Sequence, residues 1–190
     1  YLTYEEDTRP DEEIKENFYE QARLLNPFVD FFYFDVLSSV KEFKLAIEAV
    51  KSFGKPYLIG AHISEGVNLP SGEKISEIIL NINHKNLLGL ILSCVSPENY
   101  ALNLNEIKNL GVPFGFKLNG FKTTKPDEGY TNNYNKSKTG NPNEFLGKRE
   151  DLTPENLCSI IKKFKDAGAT ILGGCCETRP AHIREMSKLK

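Results

Sequence analysis

Three of the four cysteines stand where an apolar run gives way to the start of a helix. Cys175 and Cys176 follow two glycines after the run 169–172, and Cys94 closes the run 87–93. Thiolates are soft ligands that suit zinc, and catalytic zinc sites use three protein ligands with a fourth position left open. If both runs are strands of one parallel sheet, their carboxyl ends meet at one edge. The spacing is therefore compatible with a three-cysteine metal site.

The local sequence offers a way for adjacent cysteines to converge on one ion. Gly173 and Gly174 allow a sharp turn, so that side chains that would point to opposite faces of a strand can turn toward the same point. Helices beginning near Pro97 and Pro180 would direct positive dipole ends at the thiolates and lower their pKa. Spacing alone also leaves open a site without metal, because the chain has no C-x-x-C pair. In that case Cys94 is a small buried hydrophobic residue, and the adjacent pair of cysteines has no function.

The remaining candidate residues favour structural roles. Cys158 lies on an amphipathic helical pattern and is predicted to be buried. His62 ends an apolar run, whereas His84 and His182 fall on helical patterns, so each is more typical of a structural or surface residue than of a ligand. Of the three, His62 stands closest to the predicted ends of strands.

Hydrophobic periodicity predicts a strict alternation of strands and helices. Strands are expected at 29–36, 56–63, 87–93, 112–118 and 169–172, and helices at 10–26, 38–53, 73–85, 97–110, 153–167 and from 178 onward. This order predicts an α/β fold with a parallel sheet, either doubly wound or a (β/α) barrel. No G-x-G-x-x-G or P-loop motif follows any strand, which removes the most specific sign of a nucleotide-binding doubly wound sheet.

The segment 119–152 interrupts this alternation. It is rich in Gly, Pro, Asn, Lys and Thr, and it is long for a connection without structure of its own. Such a segment is either an insertion that acts as a lid or a plain surface excursion. Tyr130 and Tyr134 within it could contact a cationic ligand through their ring faces, although aromatic residues in polar loops more often serve as anchors.

Composition restricts the class of protein and its partners. The chain has 190 residues, a net charge of -2 and 39% hydrophobic residues, as expected for a single globular domain spanning 1–190. The sequence has no cluster of basic residues of the kind that binds nucleic acid or an anionic membrane surface. No apolar run is long enough to span a bilayer. We therefore expect a cytoplasmic protein that acts on small molecules. The first residue, Tyr1, favours a start inside a longer protein.

Several stretches resemble one family, the zinc-dependent homocysteine S-methyltransferases. Gly173–Ile183 is similar to the closing signature of that family, and Ser93–Glu98 is similar to its single-cysteine motif. The likeness extends to Phe34–Ser39 with Glu42, to 55–59 and to 116–120, and thus covers nearly the whole chain. Ser93 replaces the Asn that commonly precedes the single cysteine, and Asp35 replaces a Glu. The acidic glycine-rich motif of the family's first strand is absent.

The resemblance implies a (β/α)8 TIM-type barrel, of which the five strands here would be the fourth to the eighth. It also implies that Cys94, Cys175 and Cys176 bind Zn²⁺, with the thiol of homocysteine in the fourth position. Asp35 would hold the amino group of this substrate, and Val36 and Asn119 belong to the stretches expected to contact it. The donor would be of the S-methylmethionine, betaine or methyltetrahydrofolate type, and the product methionine.

Two alternatives remain open at this level. The acceptor could be another small thiol or a selenol. The chain could instead be a non-catalytic barrel remnant, with structural zinc or redox thiols. A homo-oligomer is compatible with the sequence.

Overall fold

The computed structural model describes residues 9–63, 65–82, 85–123 and 146–189. The predicted residues His84, Tyr130 and Tyr134 lie outside these ranges. The strands are β1 (Phe32–Leu37), β2 (Tyr57–His62), β3 (Leu87–Val95), β4 (Phe114–Leu118) and β5 (Ile171–Gly174). The longer helices are α1 (Asp11–Leu25), α2 (Val40–Val50), α3 (Ile75–Asn81), α4 (Pro97–Lys108), α5 (Pro154–Asp166) and α6 (Pro180–Met186). The alternation predicted from periodicity is thus confirmed.

All five strands are parallel and stand in the sequential order β1-β2-β3-β4-β5. Because crossovers between parallel strands are right-handed, steps that always go the same way leave all the helices on one face of the sheet. Each helix from α1 to α6 accordingly contacts the next one in the chain. This singly wound arrangement excludes the doubly wound alternative for the described strands. It is compatible with part of a (β/α)8 barrel, whose closure stays a prediction.

The main core lies between the sheet and the helices. Alternate strand residues such as Phe34, Ile59, Leu92 and Phe116 are buried in one cluster that also contains residues of the helices. Their strand neighbours face the opposite side of the sheet, as the two-residue period of a strand requires. That opposite face carries the polar groups Tyr33, Asp35, Ser93 and Lys117, which contact one another. The same face would form the inside of a closed barrel.

Helix starts follow the sequence signals closely. Ser39 caps α2, where its hydroxyl accepts a hydrogen bond from the backbone N–H of Glu42 and the Glu42 carboxylate accepts one from Ser39. Ser96 caps α4, and Thr153 caps α5 in the same way. These caps fix the residues at which the three helices begin.

Every strand differs from its predicted bounds by one to three residues at one end or both, most clearly β1 and β5. β1 begins at Phe32 rather than at residue 29, because a short 3₁₀ turn at Asn26–Phe28 precedes it. β5 runs to Gly174 rather than ending at residue 172, because the two glycines continue the ladder and pair with Lys117 and Leu118. A glycine pair predicted as a turn is therefore the last part of a strand.

Within the described part of the chain, β1 and β5 are the two edges of the sheet. Beside β1, Phe28 and Phe31 are 83% and 44% exposed, and a groove lined in part by Phe31 and Asp35 runs along the strand. None of the described helices has the length and apolar character needed to cross a membrane.

Candidate metal centre

Three sulfur atoms converge at the carboxyl ends of β3 and β5. Cys94 Sγ lies 3.7 Å from Cys176 Sγ, and Cys175 Sγ lies 4.0 Å from Cys176 Sγ. All three atoms lie within 4.8 Å of one another. A tetrahedral zinc site with Zn–S bonds of about 2.3 Å requires sulfur atoms about 3.8 Å apart. The three cysteines therefore fit three corners of such a site without large movement.

A bulge in β3 directs Cys94 into this cluster. The pairing register between β3 and β4 shifts between Ser93 and Val95, so that Cys94 stands out of the ladder. Its φ of 55° lies in the left-handed region, which residues other than glycine seldom adopt. Bulges often re-aim a side chain at a functional site, and such local strain persists only when the surroundings hold it.

The adjacent pair is held by a tight turn after β5. The backbone N–H of Cys175 donates to the carbonyl of Leu118 at 2.7 Å, and the carbonyl of Cys175 accepts from both the backbone N–H and the hydroxyl of Thr178. A Cβ on Gly174 would lie 2.4 Å from Thr178 Oγ1, so only glycine fits here. This turn brings two consecutive cysteine sulfurs to the same side.

Asn119 lies buried beside Cys94 and braces it. Its side-chain N–H donates to the carbonyl of Cys94 at 2.6 Å and points at Cys94 Sγ at 3.8 Å. Its side-chain oxygen accepts a hydrogen bond from the backbone N–H of Phe121. Only 1% of Asn119 is exposed. In this conformation the side chain supports a ligand, and a direct contact of Asn119 with substrate stays a prediction.

The two ends of the segment 119–152 cover the sulfur cluster. Phe121 and Leu146 are buried in a small apolar cluster with the three cysteines. The backbone N–H of Gly120 donates to the carbonyl of Cys176, which ties this segment to the turn after β5. The apolar contact shields the sulfur atoms from water on that side. Whether the rest of the segment acts as a lid stays a prediction.

The three thiols share protons when no cation is present. Hydrogen bonds from Cys176 and Cys94, with a smaller contribution from the charge of Lys117, lower the pKa of Cys175 well below its usual range. Donation to that thiolate raises the pKa of Cys94 and of Cys176. These contacts favour a single deprotonated sulfur, Cys175, over several. Binding of a divalent cation by all three sulfurs would release the remaining protons.

Asp35 stands at the end of β1 within a polar network. Its carboxylate accepts a hydrogen bond from Tyr33 Oη at 2.6 Å and forms an ion pair with Lys117 Nζ. Tyr33 Oη also lies 2.8 Å from Ser93 Oγ, and the ammonium of Lys117 stands 5.3 Å from the centre of the Tyr33 ring. Asp35, predicted to hold the substrate, is therefore linked through Tyr33 to the residue that precedes Cys94.

The backbone around this polar network is sterically constrained at Val36 and at Gly60. The register between β1 and β2 shifts between Phe34 and Leu37, and Val36 has a φ of 62°. For a β-branched residue this is a strained conformation. A Cβ on Gly60 would lie 2.3 Å from Ser93 Oγ and 2.8 Å from Tyr33 Oη, so a glycine is needed for the two hydroxyl groups to meet.

Comparison with known proteins identifies the family of the chain. A family model described as homocysteine S-methyltransferase matches residues 2–189. The chain belongs to the homocysteine S-methyltransferase family. It is 28% identical over 171 residues to homocysteine S-methyltransferase 1 of Saccharomyces cerevisiae, which covers 85% of this chain and 48% of that protein. It is 29% identical over 125 residues to homocysteine S-methyltransferase 2 of Arabidopsis thaliana, which covers 65% of this chain and 33% of that protein.

The chain therefore spans between a third and half of the length of these relatives. The match nevertheless runs over nearly all of the chain itself, including the strand ends that carry Cys94, Cys175 and Cys176.

Three other residues that the sequence offered as candidates, His62, His182 and Cys158, lie outside the cluster of three sulfur atoms. His182 is buried, with Nδ1 accepting from the backbone N–H of Arg179 and Nε2 3.0 Å from the carbonyl of Leu152, which is a structural role. Cys158 Sγ donates to the carbonyl of Glu185 at 3.5 Å. His62 is buried at the end of β2, and burial lowers its pKa to about 4, so the ring is neutral.

Sequence reasoning missed two residues near the centre, Lys117 and Tyr33. Lys117 is the one charged residue in the predicted strand 112–118, and a lysine in an otherwise apolar strand is a sign of an ion pair or a site. Tyr33 gave no such sign, because an aromatic residue is ordinary in a buried strand. Its role follows only from the position of its hydroxyl between Asp35 and Ser93.

Proposed function

We propose that the full protein transfers a methyl group to the thiol of homocysteine and forms methionine, with Zn²⁺ held by Cys94, Cys175 and Cys176. The strongest support comes from the distances between the three sulfur atoms, which are close to the sulfur–sulfur distance in a tetrahedral zinc–thiolate site. Family membership supports the reaction class. A three-thiolate donor set also suits zinc better than the harder cations Mg²⁺ and Ca²⁺.

When bound, zinc would lower the pKa of the substrate thiol so that it reacts as a thiolate near neutral pH. The residues of the chain have supporting tasks. Asn119 fixes the position of Cys94, and Phe121 and Leu146 exclude water from one side of the sulfurs. Asp35 offers a carboxylate for the amino group of homocysteine. These contacts orient the homocysteine acceptor and exclude water from it.

In the transfer step, the substrate sulfur forms a bond to the methyl carbon while the bond from that carbon to the donor heteroatom breaks. The donor atom keeps the bonding electron pair. Three thiolates bound to one divalent cation leave a net negative charge at the site, which attracts a cationic sulfonium or ammonium donor. We therefore propose S-methylmethionine-type or betaine-type donors ahead of methyltetrahydrofolate. A site closed by neutral ligands would lack this preference.

The test uses the full-length protein that contains this chain, loaded with zinc and given homocysteine with each donor separately. We expect methionine formation with a cationic donor and about one zinc per chain. Cys175→Ala should lose both zinc and activity. Cys158→Ala is the matched control, because Cys158 lies outside the cluster, and it should keep both.

Two results would contradict the proposal. Activity in a zinc-free Cys175→Ala protein would show that the metal is not required. Zinc that is retained but never responds to any thiol would indicate a structural site or a non-catalytic remnant. Offering other small thiols and a selenol in the same assay separates the acceptor alternatives, and sedimentation of the full protein measures its oligomeric state.

A further inference from the structure

We propose that Arg149 is a positioning residue for the sulfur cluster, because it fastens the apolar cover formed by Phe121 and Leu146 to the start of α4. The ion pair of Arg149 with Glu98 makes this attachment. The inference concerns the access of water and solutes to the three sulfur atoms. It rests on the proposed function only for the consequence of restricted access, which is slower loss of a bound metal ion.

The backbone of Arg149 belongs to a short antiparallel pairing next to the sulfur cluster. Phe121 and Lys148 form the bridge of this pairing. The backbone N–H of Arg149 donates to the carbonyl of Gly120 at 2.9 Å, and the backbone N–H of Gly120 donates to the carbonyl of Cys176, also at 2.9 Å. Main-chain hydrogen bonds therefore connect Arg149 to one of the three cysteines through a single residue.

The side chain of Arg149 connects the same pairing to a second element, helix α4. Its Nη1 donates to both carboxylate oxygens of Glu98, at 2.9 and 2.8 Å, while Nε and Nη2 donate to Asp151 at 3.1 and 2.7 Å. Glu98 stands in the first turn of α4, which directly follows the β3 bulge that carries Cys94. Arg149 therefore links the antiparallel pairing to the element that begins just after Cys94.

The first turn of α4 is a firm anchor for this link. Ser96 caps the helix, where its hydroxyl accepts from the backbone N–H of Asn99, and the side chain of Asn99 donates to the carbonyl of Ile63 after β2. The side chain of Arg149 is only 21% exposed, and both of its faces of donors are occupied. A single exposed ion pair contributes little, but an arginine held by two carboxylates in bidentate geometry is well ordered.

The attachment matters because the cover has few other supports of its own. A short two-stranded pairing is marginally stable by itself, so its position depends on the contacts made at its ends. Phe121 and Leu146 are 3% and 1% exposed and pack with the three cysteines. Without the ion pair of Arg149 with Glu98, local opening of this cover becomes more frequent, and solutes reach the sulfur atoms more often.

A role of Arg149 in overall folding makes a different prediction. If its loss only lowers global stability, all four cysteines become more reactive, because global unfolding exposes them together. If Arg149 holds the cover, the three cysteines of the cluster become more reactive and Cys158 does not. Cys158 lies on α5, where its Sγ donates to the carbonyl of Glu185. Cys158 is therefore an internal control.

The experiment measures the initial rate at which iodoacetamide labels each cysteine of the metal-free full-length protein, with the sites identified by mass spectrometry. We expect Arg149→Met to label the three cluster cysteines about 5-fold faster than wild type, as for a lost ion-pair network, with an unchanged rate at Cys158. Arg149→Lys should be intermediate, because an ammonium group cannot hold two carboxylates in bidentate geometry. Arg23→Met is the matched control, since Arg23 forms a bidentate ion pair with Glu20 on the surface of α1.

A second measurement follows the release of zinc from the loaded protein to an excess of chelator. Glu98→Gln breaks the link to α4 and should release zinc faster by a similar factor. Asp151→Asn leaves that link in place and should have a smaller effect. Glu98→Gln also replaces Arg149→Met in the labelling experiment if the latter does not fold.

Two labelling results overturn the inference while the proposed function stands. One is equal rates at the cluster cysteines in Arg149→Met and wild type, and the other is a uniform rise that includes Cys158. A wild-type protein that binds no zinc contradicts the proposed function instead, and the labelling of the metal-free protein still decides whether Arg149 holds the cover.

Discussion

Cys94 Sγ lies 3.7 Å from Cys176 Sγ, although 82 positions separate the two residues in the chain. The contact joins the ends of β3 and β5 across the end of β4. It requires a left-handed residue in the β3 bulge and a glycine before the turn of β5. A parallel sheet supplies the common edge, and these two local distortions bring the sulfurs to one point.

Asn119→Ala should weaken metal binding by about 10-fold to 100-fold, because the variant loses the amide that holds Cys94 and such outer contacts tune metal affinity. Competition with a zinc chelator measures this change. Asn109→Ala is the control, since the Asn109 amide donates to Asn105 on an exposed helix surface and should not alter metal affinity. Equal zinc affinity in Asn119→Ala and wild type would show that the brace is unimportant.

Val36→Gly should lower the free energy of unfolding by less than Val29→Gly does, and the two losses should differ by at least about 1 kcal/mol. A residue with a side chain costs roughly that much in the left-handed region, and glycine removes this cost. Val36 has a φ of 62°, whereas Val29 has a φ of -124°, and both are half-buried. Chemical denaturation of the two variants measures the difference. An equal loss of stability would mean that Val36 is not strained.

His62 should make stability fall between pH 6.5 and pH 4. Burial lowers its pKa from 6.5 to about 4, so the unfolded chain binds a proton in this range that the folded chain does not. The free energy of unfolding should therefore drop by up to about 3 kcal/mol as the pH falls through this window. His62→Gln removes this contribution, and denaturation at several pH values compares the variant with wild type. Parallel pH curves for the two proteins would contradict the prediction.

The order of the strands and helices, and the position of three cysteines after two of the strands, could be predicted because these signals are local. Apolar runs marked five strands, and the cysteines followed two of these runs. The choice between a doubly wound sheet and a barrel could not be made from such signals, because strand order depends on which way each crossover steps. The structure shows a sequential order, and only the resemblance had favoured it.

The polar network could not be predicted for a similar reason. The contact of Tyr33 with Ser93 spans 60 positions and depends on Gly60 lacking a side chain between them. The pairing of Lys117 with Asp35 likewise joins β4 to β1. These contacts depend on the curvature of the sheet and on register shifts, which no window of sequence reveals. Asn119 was predicted to contact the substrate, which stays a prediction, and its buried position beside Cys94 emerges only from the structure.

The most direct test of the central claim is X-ray absorption spectroscopy of zinc in the full-length protein, before and after addition of homocysteine. We expect three sulfur neighbours at about 2.3 Å and one lighter atom in the free protein, and four sulfur neighbours after homocysteine binds. Cys158→Ala should give the same spectra. Fewer than three sulfur neighbours in the free protein, or no gain of a sulfur neighbour with homocysteine, would contradict the account.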